Sequence, residues 1–125
     1  MRAVLAQTCS EAGYMADDHW PRLPRGWSWN EVAAVATDSR DRVYVFNRGA
    51  PSPLMIFDSE GTFIRSWGED IFARAHGLYI GPDDSLYCTD DLGHSVYKFT
   101  TEGKLLLTLG IKGKASDTGA TSIGP

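Results

Sequence analysis

No run of apolar residues in this 125-residue chain is long enough to cross a bilayer, which excludes a membrane-spanning helix from the sequence as given. The first residues hold one Arg, and the apolar run over residues 3–6 is too short for the core of a secretory signal. As written, the chain is expected to be cytoplasmic; a truncated start would make it secreted. Cysteine is scarce. Cys9 and Cys88 lie far apart and in no metal-like spacing. Cys88 reads as a small apolar strand residue and Cys9 as part of a mobile terminus, and a reducing compartment disfavours a disulfide between them. Basic residues are outnumbered, 12 Lys and Arg against 16 Asp and Glu, for a formal net charge of −4. That argues against a broad basic surface, so neither nucleic acid nor a membrane is expected as a partner.

What is present is 42% hydrophobic and 22% charged, the balance of a globular fold, in a length that suits one domain. The chain also repeats itself. Val43-Tyr44-Val45 returns as Leu86-Tyr87-Cys88, and Phe57-Asp58-Ser59-Glu60-Gly61 as Phe99-Thr100-Thr101-Glu102-Gly103. Trp67-Gly68 returns as Leu109-Gly110. The shift is 43 in the first half, from residue 35 to 78, and 42 in the second, from 61 to 103. A period of this length marks a propeller, solenoid or array.

Each copy reads as four short strands. In the first they are expected at 32–37, 42–47, 54–57 and 62–67, and in the second at 77–80, 85–89, 95–100 and 104–109. Polar turns separate them, with Gly61 and Gly103 where a positive φ is cheap. Four antiparallel strands in about 42 residues make one propeller blade. A β-sandwich also offers many short strands but predicts no such repetition. The consecutive Leu54-Met55-Ile56 and Leu105-Leu106-Leu107 are expected to be buried on both faces, because blades pack face to face. The organisation is therefore an extended lead-in at 1–30, a first blade at 31–68, a second at 69–110, and at 111–125 a flexible linker or the start of a third blade. Pro21, Pro24 and Gly26 interrupt any helix in the lead-in, whose Trp20, Trp27 and Trp29 are expected to pack on a blade face. A carbohydrate-stacking role for them is the alternative.

Three stretches carry more than a pattern: residues 43–49 (Val-Tyr-Val-Phe-Asn-Arg-Gly), 75–78 (Ala-His-Gly-Leu) and 86–90 (Leu-Tyr-Cys-Thr-Asp). In this order they resemble NHL-repeat β-propellers, and among those the peptidyl-α-hydroxyglycine α-amidating lyase group, over roughly residues 30–115. The resemblance implies an all-β, six-bladed ring of which this chain supplies two four-stranded antiparallel blades. It implies a lyase that releases glyoxylate from a C-terminal α-hydroxyglycine and leaves a peptide amide. Zinc is held in that family by three histidines from different blades, and calcium by backbone carbonyls in the central channel. His76 falls at the first zinc histidine, Arg48 at the catalytic Arg, and the carbonyls of Val35 and Leu78 at two calcium contacts. The blades bearing the other two histidines and a catalytic Tyr have no counterpart here.

Elementary chemistry is compatible with those roles. A histidine that opens an innermost strand points near the axis at one mouth, where several blades could converge on a metal. An Arg holds a carboxylate bidentately, and channel carbonyls suit a hard cation such as calcium. The bland readings stand beside these. Arg48 could close a loop salt bridge, His94 a solvated turn, and Asp83-Asp84 and Asp90-Asp91 ordinary turn and strand-end carboxylates. One residue separates the copies most sharply: His76 stands where the first copy has Ala33. A single histidine cannot hold catalytic zinc, because such sites normally use three protein ligands. Two function classes therefore remain. One is a metal-dependent, lyase-like activity of a longer parent. The other is a non-catalytic propeller binding a peptide, protein or small ligand at its mouth. RNA binding ranks third. A homo-oligomer is a further alternative if the chain is complete, since three two-blade copies would close six blades; it ranks below a fragment of a longer propeller.

Overall fold

The computed structural model describes residues 13–49 and 51–115. The described residues contain no helix, so none is long and apolar enough to cross a membrane. Eight strands run β1 Glu31–Thr37, β2 Val43–Arg48, β3 Leu54–Phe57, β4 Phe63–Trp67, β5 Ala75–Ile80, β6 Leu86–Asp90, β7 Ser95–Phe99 and β8 Leu105–Leu109. They form two four-stranded antiparallel sheets, ordered β1-β2-β3-β4 and β5-β6-β7-β8. Each sheet is a simple meander, as expected of two propeller blades.

Short polar turns set the register. In the β3–β4 hairpin the Gly61 N–H donates to the Asp58 carbonyl (3.0 Å), and the Asp58 N–H to the Thr62 carbonyl (3.0 Å). Gly103, Thr100 and Lys104 repeat these bonds between β7 and β8. Gly61 and Gly103 have φ of 78° and 90°, a conformation only glycine adopts without strain. The β1–β2 and β5–β6 turns match too: Asp41 and Asp84 both have φ of 58°.

One hydrophobic core lies between the sheets. Tyr44, Phe46, Leu54 and Ile56 of the first meet Ala75, Leu86, Cys88, Tyr97 and Phe99 of the second. Phe72, in the connection between them, stacks edge-on to Phe46 (4.8 Å) and Tyr97 (5.7 Å). The opposite face of the first sheet, Val45, Met55 and Phe57, is covered by Leu23, Trp27 and Trp29. Both faces of β3 are thus buried, and Leu54, Met55, Ile56 and Phe57 are all fully enclosed. Burying one such side chain contributes about 1.5–3 kcal/mol.

Two expectations need correction. Leu105, Leu106 and Leu107 are not buried like their β3 analogues but keep 51%, 48% and 48% of their surface in solvent. They sit on β8, the outer strand of the second sheet, and no described element covers its far side. The innermost strand of the second sheet begins at Ala75, two residues earlier than the sequence pattern placed it, because a bulge between Ala75 and Leu78 carries the pairing past Gly77. Cys88 is fully buried and free, and burial pushes its thiol up to about 12. Cys9 and residues 116–125 lie outside the described residues. Residues 111–115 fold back as a small bridge between Ile111 and Lys114, and Gly113 donates to the Gly93 carbonyl (2.9 Å).

Candidate functional site

In each sheet the first strand opens, and the second ends, at the same edge of the molecule. Glu31 and Arg48 therefore face each other across β1 and β2. Arg48 Nη1 pairs with Glu31 Oε2 at 2.9 Å, and its Nε donates to the Ala75 carbonyl at 2.9 Å. The second bond crosses between sheets and fastens the end of β2 to the opening of β5.

The same device recurs with its signs exchanged. One repeat later, position 31 becomes Arg74 and position 48 becomes Asp91. Arg74 grips Asp91 through both oxygens, Nε to Oδ1 at 2.8 Å and Nη2 to Oδ2. The Arg74 guanidinium holds the Asp91 carboxyl down at about 2, well below an ordinary carboxylate. Glu31 acts on Arg74 through space, and His76 on Asp91, so the two pairs share one charged rim. Both pairs are partly exposed, and each contributes only modestly to stability.

Beneath the rim lies a second repeated pair. Asn47 and Asp90 are buried at equivalent positions. Asn47 Oδ1 accepts the Asn30 N–H (3.2 Å). Asp90 accepts three N–H groups: Ala73 (2.7 Å), Arg74 (2.9 Å) and Gly93 (2.8 Å). Asp90 is thus a structural clamp that places Arg74 and, two residues on, His76.

His76 lies exposed in β5. The following Gly77 packs so closely that its N–H meets Thr89 Oγ1 at 2.6 Å, and a Cβ at that position would stand 2.8 Å from the same oxygen. Gly77 is therefore a local packing requirement as well as part of a motif. Val35 and Leu78 occupy equivalent positions on β1 and β5, the two strands that adjoin between the sheets. Beside the rim, an open groove of about 310 Å³ runs between the β2–β3 loop and the β4–β5 connection. It is lined by Gly49, Pro51, Pro53, Glu69, Phe72 and Ala73, among others, and Gly49 and Ala73 are the chain neighbours of Arg48 and Arg74.

The structure thus brings Arg48 and His76 to one edge of the two sheets and puts Val35 and Leu78 on neighbouring strands. It adds Glu31 and Arg74, which sequence reasoning missed. Their signal was present: the 43-residue shift pairs Glu31 with Arg74 and Arg48 with Asp91. Among the described residues, no three His, Cys, Asp or Glu side chains gather as a metal site. The strands of these two sheets carry one imidazole, that of His76, and do not by themselves fit a zinc centre. At the opposite end, Asp38 accepts Arg42 Nε (2.7 Å) and the Tyr44 hydroxyl (3.0 Å). Burial works against its charge, but the N–H groups of Arg42 and Arg40 outweigh it and keep the carboxyl below its usual range. That cluster fixes a turn.

Comparison with known proteins adds the family. Mouse (Mus musculus) NHL repeat-containing protein 3 is 32% identical over 128 residues, covering 90% of this chain and 37% of the relative. The human (Homo sapiens) protein of that name is 28% identical over 120 residues, covering 90% and 33%. The chain is homologous to NHL-repeat proteins. The chain is also similar to peptidyl-alpha-hydroxyglycine alpha-amidating lyase 1 of Drosophila melanogaster, 31% identical over 114 residues, 86% of this chain and 20% of that protein. The chain spans about a third of the NHL repeat-containing protein 3 relatives and a fifth of the lyase. No family model matches it. The two four-stranded meanders are consistent with two propeller blades of the kind this similarity implies.

Proposed function

We propose that these two blades form one wall of a non-catalytic NHL propeller mouth that binds a ligand ending in a carboxylate, such as a peptide C-terminus. The carrying observation is the rim itself, where Arg48 and Arg74 flank the exposed His76 beside an open groove. Guanidinium groups recognise carboxylates bidentately, and exchange of partners with Glu31 or Asp91 would admit a ligand without unfolding a strand. Pro51, Pro53 and Phe72 give the groove apolar surface for the residue preceding that carboxylate. The similarity to NHL repeat-containing protein 3 suits this scaffold reading.

A second reading is supported by the similarity to the Drosophila amidating lyase. In it His76 is one of three zinc histidines, Arg48 assists the chemistry, and the Val35 and Leu78 carbonyls line a calcium site. The remaining ligands would come from outside the described residues. Zinc analysis and a glyoxylate-release assay with an α-hydroxyglycine peptide separate the two. The scaffold reading expects peptide binding, no stoichiometric zinc and no glyoxylate. Glyoxylate release that a chelator abolishes would replace it with the lyase.

A further inference from the structure

The groove beside the rim has an acidic wall that carboxylate binding leaves unused. Glu69 and Asp70 line it from the β4–β5 connection, and both are exposed. Among the described residues neither carboxylate takes part in a hydrogen bond or an ion pair. The rim differs, since Arg48 is balanced by Glu31 and Arg74 by Asp91. The uncompensated charge of the groove is therefore negative and sits on this wall. One cation is already at the turn: Lys112 Nζ donates to the Asp70 carbonyl at 2.9 Å. It offsets one of the two charges but binds the backbone, so both carboxylates stay open.

The fold does not require these acids. Gly68 recurs one repeat later as Gly110, and both keep a positive φ, 104° and 92°. Glu69-Asp70, in contrast, recurs as Ile111-Lys112. The glycine that leaves the outermost strand is kept, and the acidic pair beside it is not. Much of the remaining lining is apolar, with Pro51 and Pro53 on one wall and Phe72 on the other. A volume of about 310 Å³ suits one long side chain with its backbone and is too small for a folded partner. A side chain with an aliphatic stem and a cationic head matches such a surface, because the stem can lie on apolar atoms while the head keeps to polar ones.

We infer that the groove selects the last residue of the ligand, and that this residue is Lys or Arg. Its carboxylate goes to the Arg48 and Arg74 rim, its stem lies along Pro51, Pro53 and Phe72, and its cationic head meets Glu69 and Asp70. The inference rests on the carboxylate-binding reading above and adds the chemical class of the residue bound. Opposite charge at such a wall chooses between partners more than it adds affinity, and like charge rejects them.

Calorimetric titration of the complete natural protein tests this with short peptides that differ only in the last residue, Lys, Ala or Glu, each as free acid and as amide. Among the free acids, Lys is expected to bind about 5-fold tighter than Ala and on the order of 10-fold tighter than Glu, the range for partly exposed charge pairs. Glu69→Lys should reverse the order of the Lys and Glu peptides. Asp70→Asn, which keeps a residue that tolerates the left-handed φ of 63°, should narrow the gap between them. Free acids that outbind their amides but bind equally whatever their last residue overturn the inference and leave the carboxylate reading standing. An unchanged preference in Glu69→Lys also overturns it. Equal binding of acids and amides removes the carboxylate reading, and the inference with it.

Discussion

Removing the Asp90 carboxylate should destabilise the second blade far more than removing the visible ion pair next to it. Asp90 is 1% exposed and accepts the N–H groups of Ala73, Arg74 and Gly93. Hydrogen bonds to a charged group contribute about 1.5–3 kcal/mol each, and an orphaned buried donor costs about 1–3 kcal/mol. Three such bonds, partly replaced by water at the two less buried donors, give about 3–5 kcal/mol for Asp90→Ala. A domain of this size is stable by about 5–15 kcal/mol in all, and the loss corresponds to roughly 10–20 °C in Tm. Asp90→Asn keeps one acceptor oxygen, as Asn47 does in the first blade, and should lose about 1–2 kcal/mol. Asp91→Ala breaks a partly exposed pair and should change stability by under ~1 kcal/mol. Urea unfolding followed by tryptophan fluorescence measures all three. An Asp90→Ala variant within ~0.5 kcal/mol of wild type, or no weaker than Asp91→Ala, would refute the clamp.

The other predictions follow from the same geometry. Phe57→Ala empties a fully buried position against Trp20, Trp29 and Phe63, and should cost about 3–5 kcal/mol by the same urea assay. The Cys88 thiol, pushed up to about 12 by burial, should resist a thiol reagent at pH 8 in a Cys9→Ser background and react only on unfolding; native-state reaction at a free-thiol rate would contradict its burial. Asp91 is held at about 2 against an ordinary 3.8, so its pair stabilises the fold above the unfolded value and fades as pH falls toward 2. Asp91→Asn should flatten the acid limb of stability between pH 4 and 2 at low salt, and an unchanged limb would show that the pair is not formed.

Much of the architecture was legible because the repeat is written in residues that need particular backbones. Gly61 and Gly103 mark the same hairpin, and the Tyr44 and Tyr87 strands align without a gap. The strand limits were less legible at Ala75, because a bulge around Gly77 depends on its contact with Thr89 and not on alternation. The three leucines of β8 were misjudged because strand burial is set by what covers the sheet. At the candidate site, Arg48 and His76 could be singled out by comparing the copies. Glu31 and Arg74 show in the same comparison only as mismatches, because an ion pair that exchanges its signs between repeats looks like divergence until both partners are placed. Asp90 read as an ordinary strand-end carboxylate, and only the three N–H groups converging on it reveal its task.

The ligand-binding mouth is tested most directly by amide chemical-shift mapping of the protein titrated with a short peptide bearing a free C-terminal carboxylate, with its amidated form as control. The account predicts saturable shifts at residues 31, 48, 74–76 and 91, with loss of affinity for the amidated peptide. Shifts confined to other surfaces, or equal binding of the two peptides, would contradict it.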